Sequence, residues 1–320
     1  MNKSEQYIAD QLRGLKEKSA GPNEGLIGFL FKTVMSKKFR KYSVNLEYQA
    51  HIHSAIDLNF KNGEPIKVAM VFGGYKLWRF EEAPEPDWAE LFSIIYYAHW
   101  LKPIADHYKP GVWFDFYSDD VIVKYIDNIP KEDTNKYSET FQGLLDFTRK
   151  YLPNNFKITF NRVGDQYKSE KDFLTDVEIQ KKKLLEKYGG KLPKLTEEQK
   201  DTLSLNVRLT EEQKETPKWE EIQLLHDAYM LVERRRPYYR TPDKIVAITK
   251  KLDNTIAVGT TKTSIAKFWA GVGALKRTKD DGFIETILTP NQLSSVNPEW
   301  ETIEINGLKG KNFQRIRIVS

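Results

Sequence analysis

Cysteine is absent from this chain of 320 residues. Its absence excludes disulfide bonds, thiolate metal sites and cysteine nucleophiles, and it fits a reducing compartment such as the cytoplasm. Long apolar runs are absent as well, since the most apolar early stretch, Gly25 to Phe31, is far too short to span a bilayer. The polar residues that open the sequence do not have the pattern of a secretory signal. We therefore expect a cytoplasmic protein without membrane contact.

A strong charge imbalance is also missing. The chain has 50 lysine and arginine residues against 45 aspartate and glutamate residues, and 40% of its residues are hydrophobic. This composition can bury a core of ordinary size, so extensive disorder is not expected. A net charge of +5 over the whole chain gives little support to nucleic-acid binding. We expect a small, anionic molecule as the partner, with nucleic acid as the less favoured alternative.

Strand and helix patterns alternate from residue 65 to residue 166. Short apolar runs predict buried strands, and the amphipathic stretches between them predict helices. The predicted strands are Ile66–Phe72, Val112–Tyr117 and Phe156–Phe160, and the predicted helices are Asp87–Tyr108 and Thr134–Tyr151. Because strand–helix–strand units join parallel neighbours, the pattern predicts a Rossmann-like α/β fold with a mainly parallel sheet and flanking helices.

Composition divides the chain into four regions. We expect residues 1–64 to be helical, 65–166 to form the α/β core, 167–235 to form a helical, charged insertion or lid, and 236–320 to be β-rich and to complete the core. Within the insertion, Leu195 to Lys200 and Leu209 to Lys214 are near-repeats, and each is typical of a Thr-x-x-Gln capping box at the start of a short helix. The density of charge predicts that the insertion is exposed.

The stretch from Val44 to Phe60 allows two interpretations. Alternating apolar residues near its end fit a strand, whereas a recurrence every four residues from Tyr48 fits a helix that ends at Gly63. The glycine and the proline beyond it favour the helix. On a strand, His51 and His53 would share a face and could bind a metal, but the sequence offers no third ligand. No metal or other cofactor is predicted.

Candidate functional residues follow the first predicted strand. Ligands of a parallel sheet bind at the carboxyl ends of its strands. Gly73 and Gly74 would allow a ligand to approach the backbone, and Lys76 could bind an anion. An ordinary turn with a surface lysine would explain the same residues. The glycine spacing matches neither the Walker nor the dinucleotide-binding motif.

Carboxylates mark two further positions. Asp119 and Asp120 follow the second strand, with Asp115 within it, and could bind a divalent metal, transfer protons or merely close a turn. Asp87 and Glu90 have the spacing of a capping pair at a helix start, which could also face a ligand.

Two later segments could bind phosphate. Arg236 lies in the basic run from Arg234 to Arg240, which suits a phosphate or nucleic acid but also the end of a helix. Lys262 and Ser264 belong to a segment rich in small hydroxyl residues, where backbone N–H, hydroxyl and ammonium donors could bind an oxyanion. A polar turn is the alternative there.

The order of these pieces resembles the isonitrile (isocyanide) synthase family. In that family a strand entered through Pro-Ile leads to a lysine, followed by a Pro-Asp-x-Ala-Glu helix start, a Tyr-x-Pro-Gly turn and a strand that ends in Ser-Asp. The corresponding residues here are Pro65-Ile66, Phe72 with Lys76, Pro86-Asp87-Trp88-Ala89-Glu90, Tyr108-Lys109-Pro110-Gly111 and Ser118-Asp119. The similarity extends over Pro65 to Leu145.

The resemblance implies a small-molecule biosynthetic enzyme. The family joins the amine of an aromatic amino acid to a pentulose phosphate and fragments the adduct without a metal or nucleotide. By this resemblance Lys76 and Lys262 would be phosphate anchors, and Asp119 or Asp87, with Glu90, would transfer protons. Two alternatives remain open: a metal-dependent glycosyl- or nucleotidyl-type transferase that uses the aspartates of the second strand, and a non-catalytic factor that binds nucleic acid or protein through its basic runs.

Overall fold

The structure is a computed structural model and describes residues 2–23, 25–40, 43–73, 76, 79–118, 124–204, 207–232, 241–248, 258–259 and 264–320. Its helices are α1 (Lys3–Gly14), α2 (Leu26–Val34), α3 (Leu46–Asn62), α4 (Trp88–His107), α5 (Lys131–Arg149), α6 (Glu170–Lys187), α7 (Glu197–Ser204), α8 (Glu211–Glu215), α9 (Trp219–Met230) and α10 (Pro290–Ser295). Its strands are β1 (Ile66–Phe72), β2 (Val112–Ser118), β3 (Phe156–Arg162), β4 (Lys244–Ile248), β5 (Val258–Gly259), β6 (Val272–Arg277), β7 (Phe283–Leu288), β8 (Glu299–Thr302) and β9 (Arg315–Val319).

A five-stranded parallel sheet lies at the centre of the fold. Its strand order is β3-β2-β1-β4-β5. Ile66 pairs with Val112, and Val112 pairs with Phe156, so the three predicted strands are adjacent and parallel. This arrangement confirms the predicted α/β class with a parallel sheet. Because α4 crosses over from β1 to β2 and α5 from β2 to β3, β1 lies at the centre of the sheet and β3 at one edge.

The two faces of this sheet have different neighbours because side chains alternate along a strand. Phe114 and Phe116 of β2 contact the Tyr97 ring of α4, with centroid distances of 5.0 and 5.9 Å. Tyr117 faces the other way and belongs to a core cluster with Phe173 of α6. We call these two sides the α4 face and the α6 face.

Helix α4 connects the parallel sheet to a second sheet. It is buried except along one half-buried stripe, Tyr96, His99, Pro103 and Asp106, and it continues through Pro103 to His107, so the proline does not split it. The second sheet is mixed, with the order β7-β6-β9-β8. Its strand β6 packs on the start of α4 at Gly273, where a Cβ atom would lie 2.4 Å from the backbone nitrogen of Ala89. Only glycine allows this approach of strand and helix.

The N-terminal helices pack on both parts of the fold. The helical interpretation of Val44 to Phe60 is confirmed, because α3 spans it and Gly63 ends it with a left-handed φ of 64°. Helix α1 instead contacts the second sheet: the Asn2 amide donates to the Thr302 carbonyl over 2.9 Å, and Glu5 accepts from the Glu304 N–H over 2.8 Å. The first residues of the chain are therefore tied to its last strands.

The predicted insertion is helical, and both of its capping boxes are present. Gln199 donates to the Thr196 hydroxyl and Gln213 to the Thr210 hydroxyl through their backbone N–H groups, each over 3.2 Å. The expected exposure applies to only part of it. Helices α6 and α9 bury a shared apolar cluster that includes Phe173, because two amphipathic helices side by side exclude water from their facing stripes. None of the helices in the described ranges is long and apolar enough to cross a membrane.

Candidate functional site

A buried ion cluster lies just beyond the carboxyl end of β1. The Lys76 ammonium lies 2.6 Å from Oδ1 of Asp87 and 2.7 Å from Oε2 of Glu90. The three side chains are 2%, 1% and 0% exposed. A lysine is buried to this degree only when carboxylates compensate its charge. We call Lys76, Asp87, Glu90 and their partner Tyr137 the ion cluster.

The start of α4 builds the acidic half of the ion cluster. Asp87 is the N-cap, and its Oδ1 accepts the Ala89 N–H over 2.8 Å. Glu90 completes the capping box, since its Oε2 accepts the Asp87 N–H over 2.8 Å. The predicted capping pair is thus present, and the positive end of the helix dipole also favours carboxylates here. Capping and ion pairing use the same two side chains.

The geometry differs from what we expected of Lys76. The resemblance implies a phosphate anchor, and the alternative is a surface lysine, whereas both carboxylates bind the ammonium and the side chain is only 2% exposed. An unpaired charge is costly to bury, so the buried lysine pairs with the carboxylates at the capped start of the helix. Lys76 therefore supports the fold, and a phosphate would have to compete with Asp87 and Glu90 for it.

The two carboxylates of the ion cluster each accept a further hydrogen bond. The Tyr137 hydroxyl of α5 donates to Oε1 of Glu90 over 3.1 Å. The Gly273 N–H of β6 donates to Oδ2 of Asp87 over 3.1 Å. Sequence reasoning did not assign either residue to the site. The helical period of α5 does point Tyr137 inward, but no local pattern indicates Gly273, which is 186 residues away from its acceptor.

Electrostatics make Glu90 the proton-exchanging member of the ion cluster. Burial, opposed by Lys76 and reinforced by Asp87, raises the pKa of Glu90 to about 7. Burial acts in the same direction on Asp87, but the Lys76 charge outweighs it and lowers the pKa of Asp87. Burial also raises the pKa of Tyr137, which stays protonated and remains a donor. Near neutral pH the ion cluster therefore holds one fixed ion pair and one carboxyl group that can gain or lose a proton.

A row of aromatic rings on the α4 face meets the ion cluster at Tyr137. Phe72, the last residue of β1, lies 4.7 Å from Phe268 and 5.7 Å from Phe141 between ring centroids. The Tyr137 ring lies 5.8 Å from that of Phe141. The ring centroid of Trp269 lies 6.1 Å from that of Phe72, and because Trp269 is partly exposed, these rings form a wall that extends toward solvent. Such a wall excludes water and strengthens the electrostatic interactions beside it.

The structure describes only part of the predicted anion site. Gly73 has open space around it, since an added Cβ would meet no atom within 4 Å. Ser264 begins a 3-10 helix, Ser264–Ala270, that packs against α4. Gly74, Asp119, Arg236 and Lys262 lie outside the described residues. The roles that the resemblance implies for Asp119 and Lys262, proton transfer and phosphate binding in one site with Lys76, stay predictions.

The acidic residues proposed as an alternative metal site are placed only in part. Asp115 lies on the α6 face, and its Oδ1 accepts hydrogen bonds from Thr159 and from the Asn161 amide, the latter over 2.6 Å. Asp119 and Asp120 lie outside the described residues. Across the described ranges, no three histidine or acidic side chains come together in a metal-binding group. His51 and His53 lie on α3, where residues two apart point in different directions.

Asp127 is a further buried carboxyl group, and no sequence pattern indicated it. It is 3% exposed, and its Oδ1 has no hydrogen-bond partner. Burial, opposed by the Arg208 N–H and the Arg79 charge, raises its pKa to about 7. Asn128, the next residue, donates to the Arg208 carbonyl over 2.9 Å, so this part of the insertion covers the carboxyl group.

Comparison with known proteins identifies a fold but no family. No protein-family model matches the chain, and no curated protein matches it. Among solved structures, the chain is similar to the PvcA protein from Pseudomonas aeruginosa, with a TM-score of 0.58 and 14% sequence identity. The match covers 92% of this chain and 100% of that one. The similarity therefore extends well beyond the motifs between Pro65 and Leu145.

Proposed function

We propose that the protein is a small-molecule biosynthetic enzyme of the isonitrile synthase type, which condenses the amine of an amino acid with a sugar phosphate. The observation that carries the proposal is the ion cluster. It holds the carboxyl group of Glu90, whose pKa is about 7, beside Asp87 in the Pro-Asp-x-Ala-Glu motif, just beyond the carboxyl end of a parallel strand. A proton-transfer group works best when its pKa lies near the working pH.

Each member of the ion cluster has a defined task in this proposal. An amine adds to a carbonyl group only after it loses a proton, and a proton must reach the carbonyl oxygen before water leaves. Glu90 supplies and accepts these protons. Asp87 keeps Lys76 charged, and Lys76 stabilises the carboxylate form of Glu90.

Tyr137 is the group that we assign to substrate contact. It is 7% exposed and is the most exposed member of the ion cluster. Its hydroxyl already donates to Oε1 of Glu90, so it can pass a proton between that carboxyl group and a bound amine. The aromatic wall from Phe72 to Trp269 would hold the side chain of an aromatic amino acid and keep water away.

We assign phosphate binding to residues other than Lys76. Because Lys76 is paired with two carboxylates, we assign the phosphate to Lys262, Ser264 and Arg236, with backbone N–H groups at Gly73 and Gly74.

Asp119 is a further candidate for proton transfer. The reaction needs no cofactor and takes place in the cytoplasm. The α/β fold that the chain shares with the PvcA protein is compatible with this assignment.

Incubation of the protein with an aromatic amino acid and a pentulose phosphate tests the proposal. We expect both to be consumed and an isonitrile to form, which mass spectrometry of a ¹⁵N-labelled reaction would detect. Glu90→Gln and Tyr137→Phe should each lower kcat by about 100-fold or more. Tyr151→Phe, a matched change outside the ion cluster, should leave it unchanged. Failure of every aromatic amino acid and pentulose phosphate to react would reject the function.

A further inference from the structure

The α6 face of the parallel sheet contains a polar cleft that the proposed function does not use. The cleft has a volume of about 190 Å³, and its lining includes Lys67, Trp113, Asp115, Asn161 and Lys244. Strands of a parallel sheet are ordinarily apolar on both faces because helices cover them. Charged side chains at these positions of β1, β2 and β4 instead form the walls of a site.

Asp115 is held in one orientation at the base of the cleft. It is 4% exposed, and Thr159 and Asn161 donate to its Oδ1. The Trp113 indole N–H in turn donates to the Thr159 hydroxyl oxygen over 2.8 Å. Burial, opposed by these hydrogen bonds and by Lys244, raises the pKa of Asp115. Asp115 is thus a positioned carboxyl group that can carry a proton.

The two lysines of the cleft have opposite electrostatic environments. Burial lowers the pKa of Lys67, but hydrogen bonds from its ammonium to Asp243 and Glu64 outweigh burial and raise the pKa. Burial also lowers the pKa of Lys244, and here the charges of Asp115 and Asp243 do not reverse the effect. Lys67 therefore stays an ammonium ion, whereas Lys244 more readily becomes a neutral amine.

We propose that the cleft is a second reactive site, in which Lys244 forms a reversible imine with a small aldehyde or ketone and Asp115 donates the proton. In this reaction the neutral amine of Lys244 attacks the carbonyl carbon and forms a carbinolamine. Asp115 protonates the carbinolamine oxygen, the C–O bond breaks, and water leaves. The products are a protonated imine on Lys244, one water molecule and the Asp115 carboxylate, which stabilises the new positive charge.

The dimensions of the cleft limit the carbonyl compound. Sites for drug-sized ligands occupy roughly 300–1,000 Å³, so a cleft of about 190 Å³ accepts a molecule of a few carbon atoms. The Lys67 ammonium donates two of its three N–H groups to Asp243 and Glu64, and because its side chain is 18% exposed, the third can donate to a ligand that also carries a carboxylate. A short keto acid fits both limits. This site shares no residue with the ion cluster, so its test is independent of the proposed function.

Reductive trapping tests the inference. The intact protein is treated with pyruvate and sodium cyanoborohydride, and peptide mass spectrometry measures the labelling of each lysine over time. We expect Lys244 to be labelled first, at a rate that saturates as pyruvate increases. Lys67 in the same cleft and exposed Lys157, whose ammonium lies 3.9 Å from the Trp113 ring centroid, are internal controls. Their labelling should be slower and should rise linearly with pyruvate.

Two variants assign the roles. Asp115→Asn keeps the shape of the side chain but cannot donate the proton, so labelling at Lys244 should slow by about 100-fold. Lys157→Arg should leave it unchanged. Equal labelling of Lys244 and Lys157 in the unmodified protein, or a linear rate at Lys244, would overturn the inference without any variant. Unchanged labelling in a folded Asp115→Asn protein would remove Asp115 from the mechanism and overturn the proposal as stated.

Discussion

Glu90 connects the stability of the protein to pH. Its pKa of about 7 in the folded state lies above the ordinary value of 4.5, mainly because it is buried. A carboxyl group whose pKa is raised by folding contributes stability that is complete below pH 4.5 and lost as pH rises toward 7. Asp127, whose pKa is also raised to about 7, acts in the same direction. Asp87, with a lowered pKa, acts in the opposite direction and in a more acidic range.

We therefore predict that the free energy of unfolding of the native protein falls between pH 4.5 and pH 7, and that Glu90→Gln makes this decrease smaller. Glutamine retains the size of the side chain but does not titrate. Urea unfolding at several pH values measures the slope. Glu47→Gln, at an exposed position of α3, is the control and should leave the slope unchanged. A Glu90→Gln slope identical to that of the native protein would contradict the raised pKa.

Lys76 gives a second prediction at this scale. Lys76→Met should lower the free energy of unfolding by about 3–5 kcal/mol, because it leaves two buried carboxylates without their cation. The loss should be smaller at pH 5 than at pH 8, since Glu90 can be neutralised by a proton at the lower pH. Lys171→Met, at an exposed position, should change stability little. A loss for Lys76→Met as small as that for Lys171→Met would mean that the ion cluster does not form as described.

At the scale of elements, the contact between β6 and α4 depends on one glycine. Gly273→Ala would place a Cβ atom 2.4 Å from the Ala89 nitrogen, so strand and helix must separate, and we expect a loss of about 1–3 kcal/mol. Gly143→Ala in the exposed part of α5 should instead stabilise by about 0.5–1 kcal/mol, because no atom lies near and alanine favours the helix. Thermal unfolding of both variants measures these opposite effects. Equal effects would refute the close contact.

Sequence reasoning succeeded where structure is local. The apolar runs predicted β1, β2 and β3, the four-residue spacing from Tyr48 predicted α3, and the Asp87–Glu90 spacing predicted the capping box. It failed where a contact joins distant parts of the chain. Gly273 reaches Asp87, 186 residues away in the chain, only because β6 packs on α4. No window of neighbouring residues contains that information.

At the scale of the whole molecule, the connection between α6 and α7 is a weak point of the predicted insertion. Between α6 and α7 the chain is largely exposed, and Gly189 and Gly190 have left-handed φ values of 66° and 77°. We predict that trypsin cuts first in this connection, at exposed Lys191. Mass spectrometry of early fragments locates the cut. Circular dichroism should then still report the parallel sheet, since the connection does not contribute to it. A first cut within β1 or β2 would contradict the fold.

The hydrogen bonds from α1 to the second sheet have a consequence for the order in which the protein is made. Asn2 is synthesised 300 residues before its acceptor, the carbonyl group of Thr302. Until then, α1 lacks partners that it has in the finished protein, among them the Phe283 ring, which lies 5.9 Å from the Tyr7 ring between centroids. The growing chain therefore carries an incompletely packed α1 until the residues up to Thr302 have been made. A chaperone that binds short amphipathic helices would find its site on α1 during that interval, and would lose it when β8 arrives.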